Sequence, residues 1–303
     1  MPSLELVKLS MDDEEKRFPD IRVRHRNEVA QAIRELSLPA LTEVHFEFFL
    51  RRQKNERAQP PVLHKSGVPD PLSSAIFELS LNLVALELKG VFDDSLLRPI
   101  ERLGTTPWPN LEFLVINLGI TTPSGGWYFT KRDDLPLPPL YMPTRLSRPK
   151  TAHSKLHLEK FDFLEEAGYS AWVPVDAFRS KVDDAALTPL AEAYADALLE
   201  MPKLKTAMLS VELEDETEDE PEWFCIVYSA PCKSARGHPP RLICPNCRKG
   251  VTRRLITRLL GWEPNEKLAA KLRRTGDEFC AEPMVEMTVD EYMSEKEALE
   301  RSN

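Results

Sequence analysis

A short apolar phrase occurs six times along the chain, and this repetition restricts the possible folds more than any other feature of the sequence. The phrase is a leucine, an apolar residue three positions later and another apolar residue two positions after that. Its copies are Leu4, Val7 and Leu9; Leu41, Val44 and Phe46; Leu83, Leu86 and Leu88; Leu111, Leu114 and Ile116; Leu158, Phe161 and Phe163; and Leu204, Ala207 and Leu209. Proline stands two residues before the first leucine in four copies, which indicates internal repetition rather than the chance spacing of a leucine-rich chain.

Each phrase predicts a β-strand, because its last two apolar positions are two residues apart and lie on one face of an extended chain. Helical spacing of apolar residues predicts helices over residues 27–37 and 73–79, after Asp93 and from Thr188. One strand and one helix per unit favour stacked α/β repeats with a parallel sheet. An ordinary doubly wound α/β domain also alternates strands and helices and stands as the alternative.

The predicted fold class is α/β, an irregular leucine-rich-repeat-like solenoid with a parallel sheet and a C-terminal antiparallel strand and helix cap. The six strands are expected to be neighbours in sequence order, with Leu86, Leu114 and Phe161 buried between the sheet and the helices. Successive phrases start 28 to 47 residues apart. Regular leucine-rich repeats have about 20–29 residues, so the units are irregular.

Composition divides the chain into residues 1–222, which hold the phrases, and residues 223–303, which lack them. Three segments of the first region are predicted loops or inserts: polar residues 51–70, proline-rich residues 121–153 and acidic residues 212–222. Because the open end of a solenoid must be covered, the second region is expected to be a cap.

The cap is predicted to begin with antiparallel strands at residues 223–228 and 254–260. Two helices are expected to follow, one starting at Asn265 and one at the capping box formed by Thr288 and Glu291.

Composition and charge exclude several functional classes. A formal net charge of -9 argues against bulk attraction to nucleic acid or to anionic membranes. No apolar run approaches the roughly 18 residues that span a bilayer, and the first residues do not have the pattern of a secretory signal. Five cysteines, an odd number, favour a reducing compartment. We therefore expect a cytoplasmic or nuclear protein with neither a membrane nor nucleic acid as partner.

The sharpest local motif is a Cys-x-x-Cys pair at Cys244 and Cys247. Two such thiolates can bind one tetrahedral metal ion, and Cys232 with His238 would complete the four ligands of a zinc site. The same pair is more typical of two thiols in a surface loop, and a redox disulfide is a third interpretation. We expect no cofactor, with a zinc-binding interaction module centred on residues 225–260 as the alternative.

Sequence motifs for catalysis are absent: the chain has no nucleophile elbow, glycine-rich phosphate loop, dinucleotide fingerprint or His-Glu-x-x-His. Basic residues cluster over residues 233–258, where they would bind phosphate or else pair with the eight acids of residues 212–222. We expect a non-enzymatic protein, while an enzyme on an ordinary α/β fold stays open.

Longer stretches of the chain resemble the leucine-rich, substrate-recognising halves of F-box proteins of filamentous ascomycetes. They are WPNLEFLVINLGITTPSGGWYF at 108–129, EWFCIVYSAP at 222–231 and RRLITRLLGWEPNEKL at 253–268. The resemblance implies that the chain binds an unidentified protein target of a ubiquitin ligase. In that family an N-terminal F-box binds a Skp-type adaptor. Because this sequence opens inside the first phrase, we expect adaptor binding to be lost or to require sequence upstream of Met1.

The target is expected to bind the sheet face opposite the helices, formed by residues that alternate with the buried positions of each phrase. The predicted contacts are Glu43, His45, Glu47, Glu87, Lys89, Phe113, Val115, Asn117, Lys160, Asp162 and Met208. Charges of both signs surround apolar anchors at Phe113, Val115 and Met208, a composition that suits a protein partner. In the alternative, residues 121–153 cover this face and it binds no partner.

Overall fold

A mostly parallel, eight-stranded sheet organises the chain into an α/β fold. The computed structural model describes residues 4–13, 19–50, 56, 59–65, 67–98, 107–131, 179–213, 222–231, 252–278 and 283–301. The strands are β1 (Leu6–Asp13), β2 (Glu43–Leu50), β3 (Ala85–Gly90), β4 (Phe113–Leu118), β5 (Phe129–Lys131), β6 (Arg179–Val182), β7 (Thr206–Leu213), β8 (Glu222–Ser229), β9 (Arg254–Arg258) and β10 (Val285–Thr288). The helices are α1 (Pro19–Glu35), α2 (Pro71–Ser80), α3 (Asp184–Leu199), α4 (Glu266–Arg274) and α5 (Val289–Arg301), with a 3₁₀ helix at Asp94–Leu96.

The strand order in the sheet is β1-β2-β3-β4-β7-β8-β9-β10. The first five strands are parallel to one another, β8 is antiparallel to both of its neighbours, and β10 is parallel to β9. Strands β5 and β6 form a separate antiparallel pair. The predicted parallel sheet and the antiparallel C-terminal strands are thus confirmed.

The repeated phrase is aligned across the parallel strands. Its second apolar position forms one row across the sheet, made of Val7, Val44, Leu86, Leu114 and Ala207. Its third forms the next row, made of Leu9, Phe46, Leu88, Ile116 and Leu209. Five phrases are therefore neighbouring strands in one register. The phrase at 158–163 lies outside the described residues. The expectation that it forms a strand between those of the fourth and sixth phrases is wrong, because the strands of these two phrases, β4 and β7, pair directly.

Helices α1 to α4 all lie on the sheet face that carries these two rows. Leu86 and Leu114 are 4% and 1% exposed, which confirms their predicted burial, while Phe161 lies outside the described residues. The helix side chains that contact the rows include Ala30 and Ile33 of α1, Ala75 and Ile76 of α2, Leu190 of α3, and Leu268 and Leu272 of α4. One continuous apolar layer between helices and sheet therefore holds the fold together.

Side-chain caps mark the starts of α2 and α3, and α1, α2 and α3 begin earlier than predicted. The Asp70 carboxylate accepts a hydrogen bond from the first turn of α2, whose first residue is a proline. The Asp183 carboxylate accepts two such bonds, so α3 begins a turn before the predicted start at Thr188. Helix α1 begins at Pro19 rather than at residue 27. A helix was predicted to start after Asp93, and the Asp93 carboxylate caps the short 3₁₀ helix there by accepting a hydrogen bond from the Ser95 N–H.

Two of the predicted loops or inserts contain buried residues. In the 51–70 segment, Leu63, His64 and Asp70 are at most 6% exposed, because this segment packs under the chain that follows β4. In the 121–153 segment, Tyr128 and Phe129 belong to the core. The described part of the 51–70 segment therefore combines these buried residues with exposed ones, such as Val62 and Val68 at 41% and 53%.

The C-terminal region extends the sheet instead of closing its end. Strand β8 pairs with β7, so the sheet continues without a break into the predicted cap. The predicted helix starts are confirmed: Asn265 accepts a hydrogen bond from Leu268, and Thr288 and Glu291 form the reciprocal capping box of α5. Helix α5 lies on the sheet face opposite to α1–α4.

Candidate functional site

In the part of the chain that the structure describes, the sheet face opposite α1–α4 is divided into a covered half and an open half. Over the covered half, Val289 and Tyr292 of α5 pack against apolar side chains of β4, β7, β8 and β9. These side chains are Val115, Met208, Cys225, Val227 and Ile256, all at most 8% exposed. Val115 and Met208, predicted as anchors for a partner, are instead 8% exposed and buried in the cluster that includes Val289 and Tyr292. Residues 132–153 of the segment named in the alternative lie outside the described residues.

The open half is formed by β1, β2, β3 and the first part of β4, and charged pairs cross it. His45 Nδ1 lies 2.7 Å from Glu87 Oε2, and Lys89 Nζ lies 3.5 Å from Glu47 Oε1. We call these four residues the charged ladder. Their side chains are between 29% and 48% exposed, and residue 43, also predicted as a contact, is exposed at the start of β2. The structure therefore brings together five predicted contacts on β2 and β3.

The boundary between the two halves lies at Phe113 and Asn117 of β4, whose side chains are partly exposed. Lys205 Nζ lies 5.7 Å from the centre of the Phe113 ring and 2.5 Å from a carboxylate oxygen of Glu112. The Ser210 hydroxyl donates a hydrogen bond to the Asn117 side-chain carbonyl. The Phe113 ring, with Lys205 against it, stands beside the charged ladder. The two predicted contacts Lys160 and Asp162 lie outside the described residues.

A second concave feature lies where the parallel strands end. The segments that follow β2, β3 and β4, together with the start of α3, line a cavity of about 770 Å³. In α/β sheets the carboxyl ends of the strands are the common position for ligands, so the polar groups of this cleft are described next. Its lining includes His64, Asp93, Ser95, Trp127 and Asp183.

An ion pair lies buried behind the cleft and joins α1 to α2. Arg26 donates to both carboxylate oxygens of Asp70 at 2.7 and 2.6 Å, and to the Val91 carbonyl at 2.6 Å. Ser73 gives Asp70 two more hydrogen bonds, from its backbone N–H and its hydroxyl. Burial raises the pKa of Asp70, but the bonds and charge of Arg26 and the Ser73 bonds outweigh it and hold that pKa below 3.8.

His64 lies at the wall of the cleft and is 6% exposed. Its Nε2 lies 3.5 Å from Asp93 Oδ2, and this partner raises the pKa of His64 above 6.5 although desolvation opposes the shift. Its Nδ1 has no hydrogen-bond partner among the described residues. The Ser73 and Ser95 hydroxyls both donate to carboxylates, of Asp70 and Asp93, so neither is paired with His64 as a nucleophile would be. The network joins α1, α2 and the segments beside the cleft.

Sequence reasoning missed His64 and Asp70, and treated Asp93 and Asp183 as caps only. His64 and Asp93 are 29 residues apart in the sequence, and Arg26 is 44 residues from Asp70 and 65 from Val91. No local sequence pattern reveals contacts over such separations. A local signal did exist for Asp70, which precedes Pro71 and stands three residues before Ser73 as a helix-capping residue does.

The described part of the basic cluster is paired within the chain. Arg254 contacts Glu295 at 3.0 Å and Arg258 contacts Asp290 at 2.6 Å, both on α5. Arg253, 4% exposed, contacts Asp277 at 2.5 Å. These partners differ from the acids of residues 212–222 that the sequence suggested. The pairs attach α5 and the segment after α4 to the sheet.

The four predicted zinc ligands, Cys232, His238, Cys244 and Cys247, lie outside the described residues. Within the described ranges, no group of three or more His, Cys, Asp or Glu side chains is arranged to hold a metal ion. Cys225 lies in the cluster beneath α5, where burial raises the pKa of its thiol to about 11.

Comparison of the chain with protein-family models, with curated proteins and with solved structures finds no match. Among the described residues, no helix is both long and apolar enough to cross a membrane. The chemistry of the open half and of the cleft is therefore the basis on which a function is inferred.

Proposed function

We propose that the chain is a non-enzymatic, protein-binding repeat domain that contacts its partner through the open half of the sheet. In this proposal the fold is an irregular leucine-rich-repeat-like solenoid. Its support is the alignment of five phrases in one register with α1–α4 all on one face. A doubly wound domain places crossover helices on both faces of its parallel strands, whereas one-sided winding leaves the other face for a partner.

The charged ladder is the observation that carries the proposal. Acidic and basic groups alternate across β2 and β3, and each is partly exposed. Such exposed pairs contribute little to folding stability, about 0–1 kcal/mol each, so stability alone does not account for the arrangement. They can exchange their partners for charges on another protein, while Phe113 supplies an aromatic contact at the edge.

Mixed charge also distinguishes between classes of partner. A nucleic-acid backbone requires a surface of uniformly positive charge, and the ladder contains Glu47 and Glu87 beside His45 and Lys89. A protein surface with its own charges of both signs is complementary to this pattern.

The resemblance to F-box proteins makes the partner a degradation target and the chain the recognition half of a ubiquitin-ligase subunit. Direct binding of a purified Skp-type adaptor to the full chain tests the ligase connection separately from target binding. Adaptor binding in titration calorimetry would support the ligase connection, whereas target binding without adaptor binding would support the binding function alone.

Charge exchange on the ladder tests the binding face. The double variant E87K/K89E reverses two exposed ladder charges and keeps the net charge of the chain. The matched control R24E/E28R does the same for an exposed pair on α1, on the far side of the molecule, where both side chains are 64% exposed. We expect proteins recovered from an extract with the wild-type chain to be lost with E87K/K89E and kept with R24E/E28R. Equal recovery with all three chains would contradict the proposal.

A further inference from the structure

Two ion pairs attach helix α5 to β9. Arg254 contacts Glu295 at 3.0 Å, and Arg258 contacts Asp290 at 2.6 Å. We call them the α5 pairs. Their four side chains are between 20% and 82% exposed, so water and salt screen both attractions. Each pair therefore contributes little to the stability of the chain and can be separated at a small cost in free energy.

The buried contacts of α5 lie between these pairs. Ile256 stands between Arg254 and Arg258 on one face of β9. It belongs to the same apolar cluster as Val289 and Tyr292 of α5. Of the eight α5 side chains whose exposure the structure describes, these two are buried. A segment with few buried contacts opens locally at a lower free energy than the core of a domain.

One row of side chains runs across the sheet from the charged ladder to α5. His45 and Glu87 of the ladder are followed in register by four apolar residues, which we call the apolar strip: Val115, Met208, Val227 and Ile256. Protein interfaces combine a polar rim with an apolar core. The open half supplies charged groups, and the neighbouring strip supplies apolar ones. The strip, however, lies in the cluster in which α5 packs.

We infer that α5 is an autoinhibitory helix, which occupies the apolar strip and moves away from it when the chain binds its partner. The inference rests on the proposed function, because it concerns the same sheet face. A partner that requires the strip binds only those chains in which α5 is displaced, so its apparent affinity is reduced by the fraction of such chains. Loosening α5 therefore strengthens binding, although it removes contacts within the chain.

Cys225 reports the displacement of α5. It lies in the same cluster, is 0% exposed, and pairs in register with Arg258, to which Asp290 of α5 is bound. A buried thiol does not react with a reagent in solution. Labelling of Cys225 in the native chain therefore requires opening, and peptide mass spectrometry distinguishes this residue from the four other cysteines.

The first test compares two openings of the wild-type chain. Labelling of Cys225 measures how often this residue becomes exposed, and hydrogen exchange of the slowest amides of α3 measures how often the chain unfolds globally. We expect Cys225 to be exposed at least about tenfold more often, because α3 packs in the main core on the other sheet face. Equal frequencies would mean that α5 leaves the sheet only on global unfolding, and they would overturn the inference.

Charge reversal at one of the α5 pairs tests what holds the helix. E295K faces Arg254 with a second positive charge, and R254E/E295K restores a pair of opposite charges. We expect E295K to increase the rate of Cys225 labelling about fivefold and the double variant to return it to the wild-type rate. The matched control E28K makes the same change of charge on α1, where Glu28 is 64% exposed, and should leave the rate unchanged. A rate that E295K does not raise, or that R254E/E295K does not restore, contradicts the role of α5.

Recovery of proteins from an extract connects the opening to binding. The relevant proteins are those that the wild-type chain recovers and E87K/K89E loses. Their recovery should rise with E295K, return to the wild-type level with R254E/E295K and stay at that level with E28K. Unchanged recovery despite faster labelling of Cys225 would overturn the autoinhibitory role and leave the proposed binding function standing. If no protein depends on the ladder in any of these chains, the proposed function is rejected and the inference with it.

Discussion

Replacing Leu88 by alanine should destabilise the fold far more than replacing Leu9, although both residues occupy the same position of the repeated phrase. They lie in one row of the sheet, but Leu88 is 0% exposed between β2 and β4, whereas Leu9 is 36% exposed on the edge strand. The comparison keeps the side chain, the strand position and the substitution constant. Only the packing differs.

The magnitude at Leu88 follows from its burial. Removing about three carbon groups at about 0.8 kcal/mol each costs about 2.4 kcal/mol of transfer free energy. Neighbouring strands on both sides prevent collapse of the cavity, so the total loss should be about 3–4 kcal/mol. At Leu9 solvent fills the space that the side chain leaves, and we expect about 1 kcal/mol.

Urea denaturation followed by circular dichroism measures both losses. Equal losses for L88A and L9A, or a loss below about 1 kcal/mol for L88A, would contradict the assignment of this row to the core.

Three further substitutions test the network behind the cleft and one turn. D70N should cost about 3–5 kcal/mol in urea denaturation, because it leaves a buried guanidinium without its counter-charge. Since the folded pKa of Asp70 lies below 3.8, its contribution is complete above about pH 4 and is lost as the pH falls through the folded pKa, so D70N should flatten the acid side of the stability profile. The raised pKa of His64 has the opposite sign: its contribution is present below pH 6.5 and is lost as the pH rises through the folded pKa, a loss that H64Q should abolish. G276A should lower the melting temperature more than G67A, because both glycines have φ near +80° but only at residue 276 would a Cβ lie 2.3 Å from the Tyr228 hydroxyl.

The parallel strands and their register were predictable from the sequence because both depend on local periodicity. Val44 and Phe46 are two residues apart, as one face of a strand requires, and the same spacing in the next phrase aligns Leu86 and Leu88 beside them. The cap at Asn265 was predictable for the same reason, since its hydrogen bond spans three residues.

The division of the opposite face was not predicted, because it depends on where α5 packs. A signal for it exists in the chain: Val227 and Ile256 continue the row of Val115 and Met208 across β8 and β9. Strands that are apolar on both faces indicate that both faces are covered. The polar network was beyond sequence reasoning, because the ion pair of Arg26 and Asp70 joins positions 44 residues apart.

The central claim, that the open half of the sheet binds a protein, is tested most directly by site-specific photo-cross-linking. A photoreactive amino acid at position 89, on the ladder, is compared with one at position 78, on the exposed side of α2; the native side chains there are 48% and 52% exposed. Both chains are illuminated in a cell extract, and the adducts are identified by mass spectrometry. The account predicts a discrete protein adduct at position 89 that is absent at position 78. Adducts at position 78 alone, or the same adducts at both positions, would contradict it.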